Sequence, residues 1–456
     1  MKVIIVGIGK FGRKVLQYLS EENCHDVVVI DKDSEKIRSI VDRYDVMGLC
    51  GNGCSAENLE EAGVSSADLL IAVTPSDEQN VLCSMIAKSL GVKGTIARVR
   101  DPEYVKQADF MRNRFGIDRL MNPERALAKE ITRVLKFPSA EKIYAFADGR
   151  AEIVEIRLPA TSPFADKKLK ELTVNGKPLP VLISAVERDG EIIIPNGETT
   201  LKAGDILSVC AKHAEIYEFL KCQGMLKKKV QYVMILGADR MAYYLAENLS
   251  KLGMRVKVIS PNKEKCETIA EELDEVSIAC GDFNDKEVLY SEGISDADAI
   301  VAMSGYDENN VMLSLFAKKE GVPKIVTVLR NESYTSILDG LSLDSVVSPY
   351  QVVAEDVVRY LRSISVPADS RIVALYRIAG DKAETLQFNV HSHKEFTDVA
   401  IKDLSVKLRE GVLITAIIRG KAFIIPRGDT VIEKDDSLIL IGRTGSVISS
   451  LDDVLR

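Results

Sequence analysis

The chain repeats itself at an offset of about 230 residues, and this duplication constrains its fold more than any other feature. The segment SSADLLIAVTPSDEQN at 65–80 returns as SDADAIVAMSGYDENN at 295–310. Further along, EIIIPNGETTLKAGDIL at 191–207 returns as AFIIPRGDTVIEKDDSLIL at 422–440. Two different segments therefore occur twice in the order A-B-A′-B′, so 456 residues divide into two halves of about 228 residues each.

Each A segment alternates apolar runs with amphipathic stretches. The run KVIIVG at 2–7 is continuously apolar, as in a strand buried on both faces of a parallel sheet. The stretch KFGRKVLQYLSEE at 10–22 has apolar residues at helical spacing. This alternation predicts an α/β fold with tandem doubly wound Rossmann-type domains, at 1–138 and 230–364.

The B segments have a different pattern. Short β-rich runs such as AEIVEIRL and DILSVCAK are broken by glycine and proline, and no phosphate-binding glycine signature is present. We predict a small α+β domain after each Rossmann-type domain, at 139–225 and 368–456.

Two proline-bounded helices end the A segments, NPERALAKEITRVLKFPS from Asn122 and SPYQVVAEDVVRYLRSIS from Ser348. Their apolar faces fit two arrangements. Each helix packs on its own sheet, or leaves that sheet and packs elsewhere.

Charge and hydropathy limit the function. A net charge of -8 and a pI near 5.4 argue against a nucleic-acid-binding protein. No apolar run approaches the roughly 18 to 20 residues that span a bilayer, and the start of the sequence lacks signal-peptide features. We expect a cytoplasmic protein whose membrane role, if it has one, comes through a partner.

The segment VGIGKFG at 6–12 carries the spacing G-x-G-x-x-G between a predicted strand and a predicted helix. In such a loop Gly7 permits a tight turn, Gly9 lets a pyrophosphate approach the backbone, and Gly12 lets the helix pack on the strand. The helix N-terminus adds partial positive charge. The predicted phosphate-binding loop comprises Gly7, Ile8, Gly9, Lys10, Phe11 and Gly12.

Further candidate residues follow the other predicted strands. Asp31 ends the second strand, about 20 residues after the loop, and suits the ribose diol of NAD(H) or ATP/ADP better than NADP. Lys10 keeps both ligands open, because its ammonium meets terminal phosphates or faces solvent. Val73 and Thr74 follow the fourth strand, and Arg98 ends the fifth, where it reaches the ligand or forms a structural ion pair.

The second copy of the loop, LGADRMA, has lost two of the three glycines. Asp239 would set a carboxylate against a pyrophosphate, and Ser260 stands where Asp31 stood. We expect the second site, around Gly237, Ser260 and Ser304, to be empty, weak or changed in its ligand.

Two functions fit a duplicated Rossmann chain. An oxidoreductase needs an acid or base beside the nicotinamide, yet the chain has only 4 histidines and no nucleophile or metal-binding signature. We therefore predict no catalytic and no metal-ligating residue. One intact loop beside one damaged loop favours a sensor built on a scaffold, and a NAD-dependent oxidoreductase is the alternative.

The motifs MKVIIVGIGKFG, VVVIDKD, GNGCSAENLEEAG, ADLLIAVTPSDEQN and IARVRDPEY, in an A-B-A′-B′ chain, resemble the TrkA family. These are regulatory subunits of bacterial and archaeal Trk-type potassium uptake systems, with RCK (KTN) N- and C-terminal domains. The resemblance covers essentially the whole chain. Asn52 departs from the family pattern, which frequently has Asp there, and the second loop departs from it too.

The resemblance implies how such a chain works. It implies a cytoplasmic homotetrameric ring beneath a membrane potassium pore of the TrkH type, at the inner face of the membrane. NAD(H) and ATP/ADP would bias the ring between conformations. The implied binding positions are the loop at 7–12, Asp31, Val73, Thr74 and Arg98.

Overall fold

The structure is a computed structural model of the chain. It describes residues 1–22, 25–174, 176–331, 343–364, 372–378, 382–391, 395–405, 408–443, 448 and 450–455. The chain divides into two compact units, the first formed by Met1–Leu127 with Ser348–Leu361 and the second by Ala128–Val347 with Arg362–Arg456. The divisions fall within or beside two helices, so each unit contains segments from both halves of the sequence.

The first unit is built on a six-stranded parallel sheet in the order β3-β2-β1-β4-β5-β6. This is the doubly wound order, with its reversal point between β1 and β4. Its strands are β1 Lys2–Val6, β2 Asp26–Asp31, β3 Met47–Cys50, β4 Leu69–Ala72, β5 Gly94–Arg98 and β6 Arg119–Met121. Its helices are α1 Lys10–Glu22, α2 Ser34–Val41, α3 Ala56–Glu61, α4 Asp77–Ser89, α5 Pro102–Lys106 and α6 Ala108–Phe115, and α7 Pro123–Lys136 begins there.

The second unit begins with the first small domain, a five-stranded antiparallel sheet in the order β12-β11-β13-β8-β7. Its alternating buried residues pack against one helix and against a partner sheet. The elements are β7 Lys142–Phe146, β8 Ala151–Arg157, β9 Thr173–Val174, β10 Lys177–Pro178, β11 Leu182–Arg188, β12 Glu191–Ile193, β13 Ile206–Ala211 and α8 His213–Cys222.

The second Rossmann sheet repeats the order of the first, β16-β15-β14-β17-β18-β19, and is again parallel. Its strands are β14 Tyr232–Leu236, β15 Arg255–Ser260, β16 Ser277–Cys280, β17 Ala299–Ala302, β18 Lys324–Val328 and β19 Ser345–Val347. The helices of this part are α9 Arg240–Lys251, α10 Lys263–Glu272, α11 Lys286–Ser291 and α12 Asp307–Lys319. The next helix, α13 Pro349–Ile364, follows β19 in the chain but belongs to the first unit as far as Leu361.

The second small domain has its own five-stranded antiparallel sheet, in the order β20-β21-β26-β23-β24. It shares one hydrophobic core with the first small domain, in which Tyr376 lies 5.3 Å from Tyr144 and 5.1 Å from Phe146 between ring centroids. Its elements are β20 Ile372–Ile378, β21 Ala383–Asn389, β22 Val399–Ala400, α14 Ile401–Ser405, β23 Val412–Arg419, β24 Ala422–Ile424, β25 Val431–Ile432 and β26 Ser437–Arg443.

The predicted fold class is confirmed, with two Rossmann sheets in tandem, each followed by an antiparallel module. The arrangement of the last helix, which the sequence left open, is settled for Ser348–Leu361, since this segment belongs to the first unit. Asp356 pairs with Arg119 on β6 at 2.7 Å, and the Tyr360 ring lies 5.6 Å from the Arg119 guanidinium. The helix after the second sheet thus packs on the first.

Among the described residues, no helix is both long enough and apolar enough to cross a bilayer.

Candidate functional site

The glycine loop joins β1 to α1 at the reversal point of the first sheet. Gly7 has a positive φ of 98°, and a Cβ there would lie 2.9 Å from the Thr74 backbone nitrogen. A Cβ on Gly12 would lie 2.1 Å from the Gly7 carbonyl oxygen. These two glycines are therefore required by the protein's own packing, as the motif predicts.

Gly9 differs from both neighbours in the motif. A Cβ on Gly9 would meet no atom within 4 Å, and its φ is not positive. The protein itself does not need a glycine at this position. The open space above Gly9 lies at the first turn of α1, where the Gly9 carbonyl accepts the Arg13 amide at 3.0 Å. This is where a phosphate would approach the backbone amides of the helix.

Asp31, at the end of β2, is tied to the loop. Its Oδ2 accepts the Ile8 amide at 2.7 Å, and its Oδ1 accepts the Asp33 amide at 3.0 Å. Each carboxylate oxygen can accept more than one hydrogen bond, so a ribose diol is compatible with this geometry. Asp31 therefore shapes the loop as well as facing the pocket.

Asn80 on α4 organises the neighbouring strand ends and is fully buried, with 0% exposure. Its Oδ1 accepts from the Thr74 amide at 2.7 Å and from the Thr74 hydroxyl at 2.8 Å. Its Nδ2 donates to the carbonyls of Thr74 at 3.1 Å and Arg98 at 2.9 Å. Sequence reasoning did not single out Asn80, although its recurrence as Asn310 in the repeat is a signal.

Arg98 is held at the end of β5 by a hydrogen bond to the neighbouring strand end. Nη2 donates to the Thr74 carbonyl at 2.9 Å, whereas the buried Nε has no hydrogen-bond partner among the described residues. Burial is the main cause that lowers the pKa of Arg98, and the nearby Arg100 lowers it further. Arg100 itself pairs with Asp77 at 3.5 Å. Arg98 is thus a half-buried cation at the end of β5, and its charge suits an anionic ligand.

These residues surround a cavity of about 550 Å³, a size suited to a nucleotide. Three predicted residues do not line it. Ile8 is buried beneath the loop, and Gly12 and Thr74 act through the backbone contacts given above. The predicted residues that line it are Gly7, Gly9, Lys10, Phe11, Asp31, Val73 and Arg98.

Five residues that the sequence did not predict also line the cavity. Asp33 caps α2 by accepting hydrogen bonds from the backbone amides of Glu35 and Lys36. The hydrogen bonds that it accepts from the Lys36 amide and from the Lys36 side chain are the main causes that lower its pKa. The capping pattern before α2 could have pointed to it. Tyr350 comes from α13 and carries no local signal at all. The five are Lys32, Asp33, Lys36, Pro75 and Tyr350.

The second loop, between β14 and α9, begins with a glycine in the same kind of backbone conformation but has an acidic side chain at the position of Gly9. Gly237 has a φ of 133°, like Gly7 in the first loop. Asp239, the counterpart of Gly9, caps α9 by accepting the amides of Met241 and Ala242, each at 3.1 Å. Its other oxygen lies 3.3 Å from Nη2 of Arg330. A carboxylate of the protein thus takes the position that Gly9 leaves open.

The chain is a duplicated Rossmann protein in which each Rossmann unit is followed by an antiparallel module. Of its two glycine loops, the first is open to a nucleotide and the second is filled by a carboxylate. The chain belongs to the TrkA family. The model of the TrkA-N domain matches residues 3–123 and 233–349, and that of the TrkA-C domain matches 153–222 and 386–451.

Curated relatives match over their full length. The Trk system potassium uptake protein TrkA homolog of Archaeoglobus fulgidus is 33% identical over 457 residues, covering 100% of both chains. The TrkA protein of Vibrio alginolyticus is 29% identical, covering 100% of this chain and 99% of its own. TrkA homolog 1 of Methanosarcina mazei is 32% identical, covering 96% and 97%. All three are named as potassium uptake proteins.

Solved structures share the fold. The GsuK RCK domain has a TM-score of 0.63 and 21% identity, covering 97% of this chain and 92% of its own. A structure described as the GsuK channel bound to NAD has a TM-score of 0.62 and 20% identity, covering 97% and 76%.

Proposed function

We propose that this chain is the nucleotide-sensing regulatory subunit of a Trk-type potassium uptake system. Membership of the TrkA family and full-length similarity to potassium uptake proteins support the transport system. The pocket of the first unit supports the nucleotide.

The observation that carries the ligand assignment is the open position above Gly9. A phosphate group there meets the N-terminus of α1, and the cations Lys10 and Arg98 line the same cavity. Asp31 supplies the acceptor for an adenosine ribose. The residues present therefore fit NAD(H), and ATP or ADP at the same site. A channel with this fold is described bound to NAD.

We place one ligand site in each chain, in the first unit. In the second unit the carboxylate of Asp239 already accepts the helix amides that a phosphate would use and is paired with Arg330. A phosphate there would meet negative charge and lose those amides.

The partner is a membrane potassium pore of the TrkH type, beneath which the chains form a cytoplasmic ring, a tetramer, at the inner face of the membrane. A ligand that binds one ring shape better than another shifts the population between them by its differential affinity, with couplings of about 1 to 3 kcal/mol per site. We place the transmission in α7 and α13. Alanine at Leu127 and Ile131, both fully buried, should therefore disturb assembly.

Calorimetry of the purified chain with NADH, NAD, ATP and ADP tests the ligand. Gly9→Ala adds one methyl group where the protein has open space, so the fold should be retained while phosphate is excluded. We expect wild type to bind at least one nucleotide without turnover and Gly9→Ala to bind at least about tenfold more weakly.

Gly197→Ala is the matched control, because Gly197 also has no positive φ, lies in the first small domain, and its Cβ would make an ordinary 3.5 Å contact with Lys170. Unchanged nucleotide binding in Gly9→Ala would contradict the assignment of the pocket. Hydride transfer from NADH to a substrate would instead favour an oxidoreductase.

A further inference from the structure

One wall of the pocket comes from a residue that is more than 300 positions away from the glycine loop in sequence. Tyr350 is the second residue of α13 and is half-buried in the first unit. Its ring meets that of Phe11 edge to face, with centroids 6.3 Å apart and planes at 79°. Phe11 is the second residue of α1, so Tyr350 lies beside the helix whose N-terminus would bind phosphate.

The position of Tyr350 along the pocket is set by its neighbours. Asp31, Lys32, Asp33 and Lys36 line the cavity on the β2 side, where an adenosine would lie. Val73, Pro75 and Arg98 line it after β4 and β5, on the other side of the reversal point. Tyr350 contacts Phe11, lines the same cavity as Arg98 and is near enough to Arg98 to raise its pKa, which is consistent with a place on this second side.

A mononucleotide and a dinucleotide use these two sides differently. With adenosine at Asp31 and phosphate at Gly9, ADP is complete before the second side begins. A dinucleotide lies across the reversal point, so its second nucleoside enters the space between Val73, Arg98 and Tyr350. Aromatic rings bind bases by stacking.

The helix that presents Tyr350 is fixed independently of the pocket. Asp356 pairs with Arg119, Val353 and Val357 are fully buried, and the hydroxyl of Tyr360 lies 3.6 Å from the position of a Cβ on Gly94. These contacts lie beyond the pocket along α13. The position of Tyr350 is therefore preorganised rather than dependent on a ligand.

We infer that Tyr350 is a specificity-determining residue that recognises the nicotinamide end of a dinucleotide and so distinguishes NAD(H) from adenine mononucleotides. This inference rests on the proposed nucleotide site. It adds that α13, a helix from the second half of the chain, contacts the nicotinamide end of the ligand, which the glycine loop does not contact.

The test compares NADH with ADP-ribose, which is the same ligand without its nicotinamide ring, and with ADP. Calorimetry uses the full chain as wild type, Tyr350→Ala and Tyr350→Leu, the second keeping apolar bulk without an aromatic face. In wild type, NADH should bind about tenfold more tightly than ADP-ribose. In both variants this difference should fall to about twofold or less, while ADP-ribose and ADP bind as in wild type.

Tyr217→Ala is the matched control, since it removes an exposed tyrosine ring from α8, in the second unit and outside the cavity. It should leave the ratio of the NADH and ADP-ribose affinities unchanged. The inference is overturned if wild type binds NADH and ADP-ribose equally, or if the Tyr350 variants weaken all three ligands alike or none. If wild type binds no nucleotide, the proposed function fails and the inference fails with it. Binding of ADP and ADP-ribose alone overturns only the inference.

Discussion

Gly9 and Asp239 stand at equivalent positions of the two halves and determine what each helix N-terminus can hold. At Gly9 there is open space, whereas at Asp239 a carboxylate accepts two helix amides. The glycine pattern predicted this difference from the sequence, because an acidic side chain cannot share the position with a pyrophosphate. The geometry adds that the second oxygen of this carboxylate pairs with Arg330.

The reciprocal substitution Gly9→Asp should convert the first loop into the second. We expect loss of detectable nucleotide binding together with a gain in unfolding free energy of about 1 kcal/mol from the new N-cap. Calorimetry and urea denaturation measure the two effects. Asp239→Ala is the matched variant, which should lose about 1 kcal/mol of unfolding free energy and bind nucleotide as wild type does. Retained nucleotide binding in Gly9→Asp would show that phosphate lies elsewhere.

Asn80 and Asn310 form a second matched pair. Both are fully buried and bridge the ends of the fourth and fifth strands of their sheets. Alanine at either site should lower the unfolding free energy by about 2 to 4 kcal/mol, because several buried polar groups lose their partners. Only Asn80→Ala should also weaken nucleotide binding, since it releases Thr74 and Arg98. Equal effects of the two variants on nucleotide binding would contradict a single site in the first unit.

The helices and strands could be predicted from the sequence, but the packing of one helix, α13, could not. The strands and helices of both Rossmann sheets follow from their apolar patterns, and the loop residues follow from the motif. The placement of α13 does not, because an amphipathic pattern gives a helix an apolar face without specifying which sheet covers it. Tyr350 was missed for that reason, as its place in the pocket depends on a contact between distant segments.

The junction of β18 with the first small domain predicts a pH dependence. Lys324 is 1% exposed, and its Nζ donates to the Ala140 carbonyl at 2.6 Å and to the Ser345 hydroxyl at 3.0 Å. Burial lowers the pKa of Lys324 to about 7, with Lys227 lowering it and Asp344 and Glu141 raising it. An unfolded lysine has a pKa of about 10.4.

Between pH 7 and about pH 10 the unfolded chain therefore binds more protons at this lysine than the folded chain. Its contribution to the unfolding free energy should rise with pH, by up to about 1.4 kcal/mol per pH unit, and fall as the pH drops toward 7. Urea denaturation of wild type and Lys324→Met at pH 7, 8 and 9 measures it. The unfolding free energy of wild type should increase relative to that of the variant as the pH rises. A difference independent of pH would contradict the assignment.

In the whole molecule the two halves have the same fold, but only the first half has an open glycine loop. The two small domains share a core, the second loop is closed by its own carboxylate, and the first loop is open. The duplication and the domain order could be read from the sequence alone. The division of the chain into two compact units, each with segments of both halves, could not, because it depends on long-range packing.

The central claim is that a nucleotide in the first unit controls potassium uptake. Its most direct test is rubidium flux into vesicles that contain the membrane pore subunit of the cognate Trk system with the wild-type chain, Gly9→Ala or Gly197→Ala. We predict that nucleotide changes the flux with wild type and Gly197→Ala, and that Gly9→Ala supports a flux that does not respond to nucleotide. A response of equal size with Gly9→Ala, or no response with wild type, would contradict the claim.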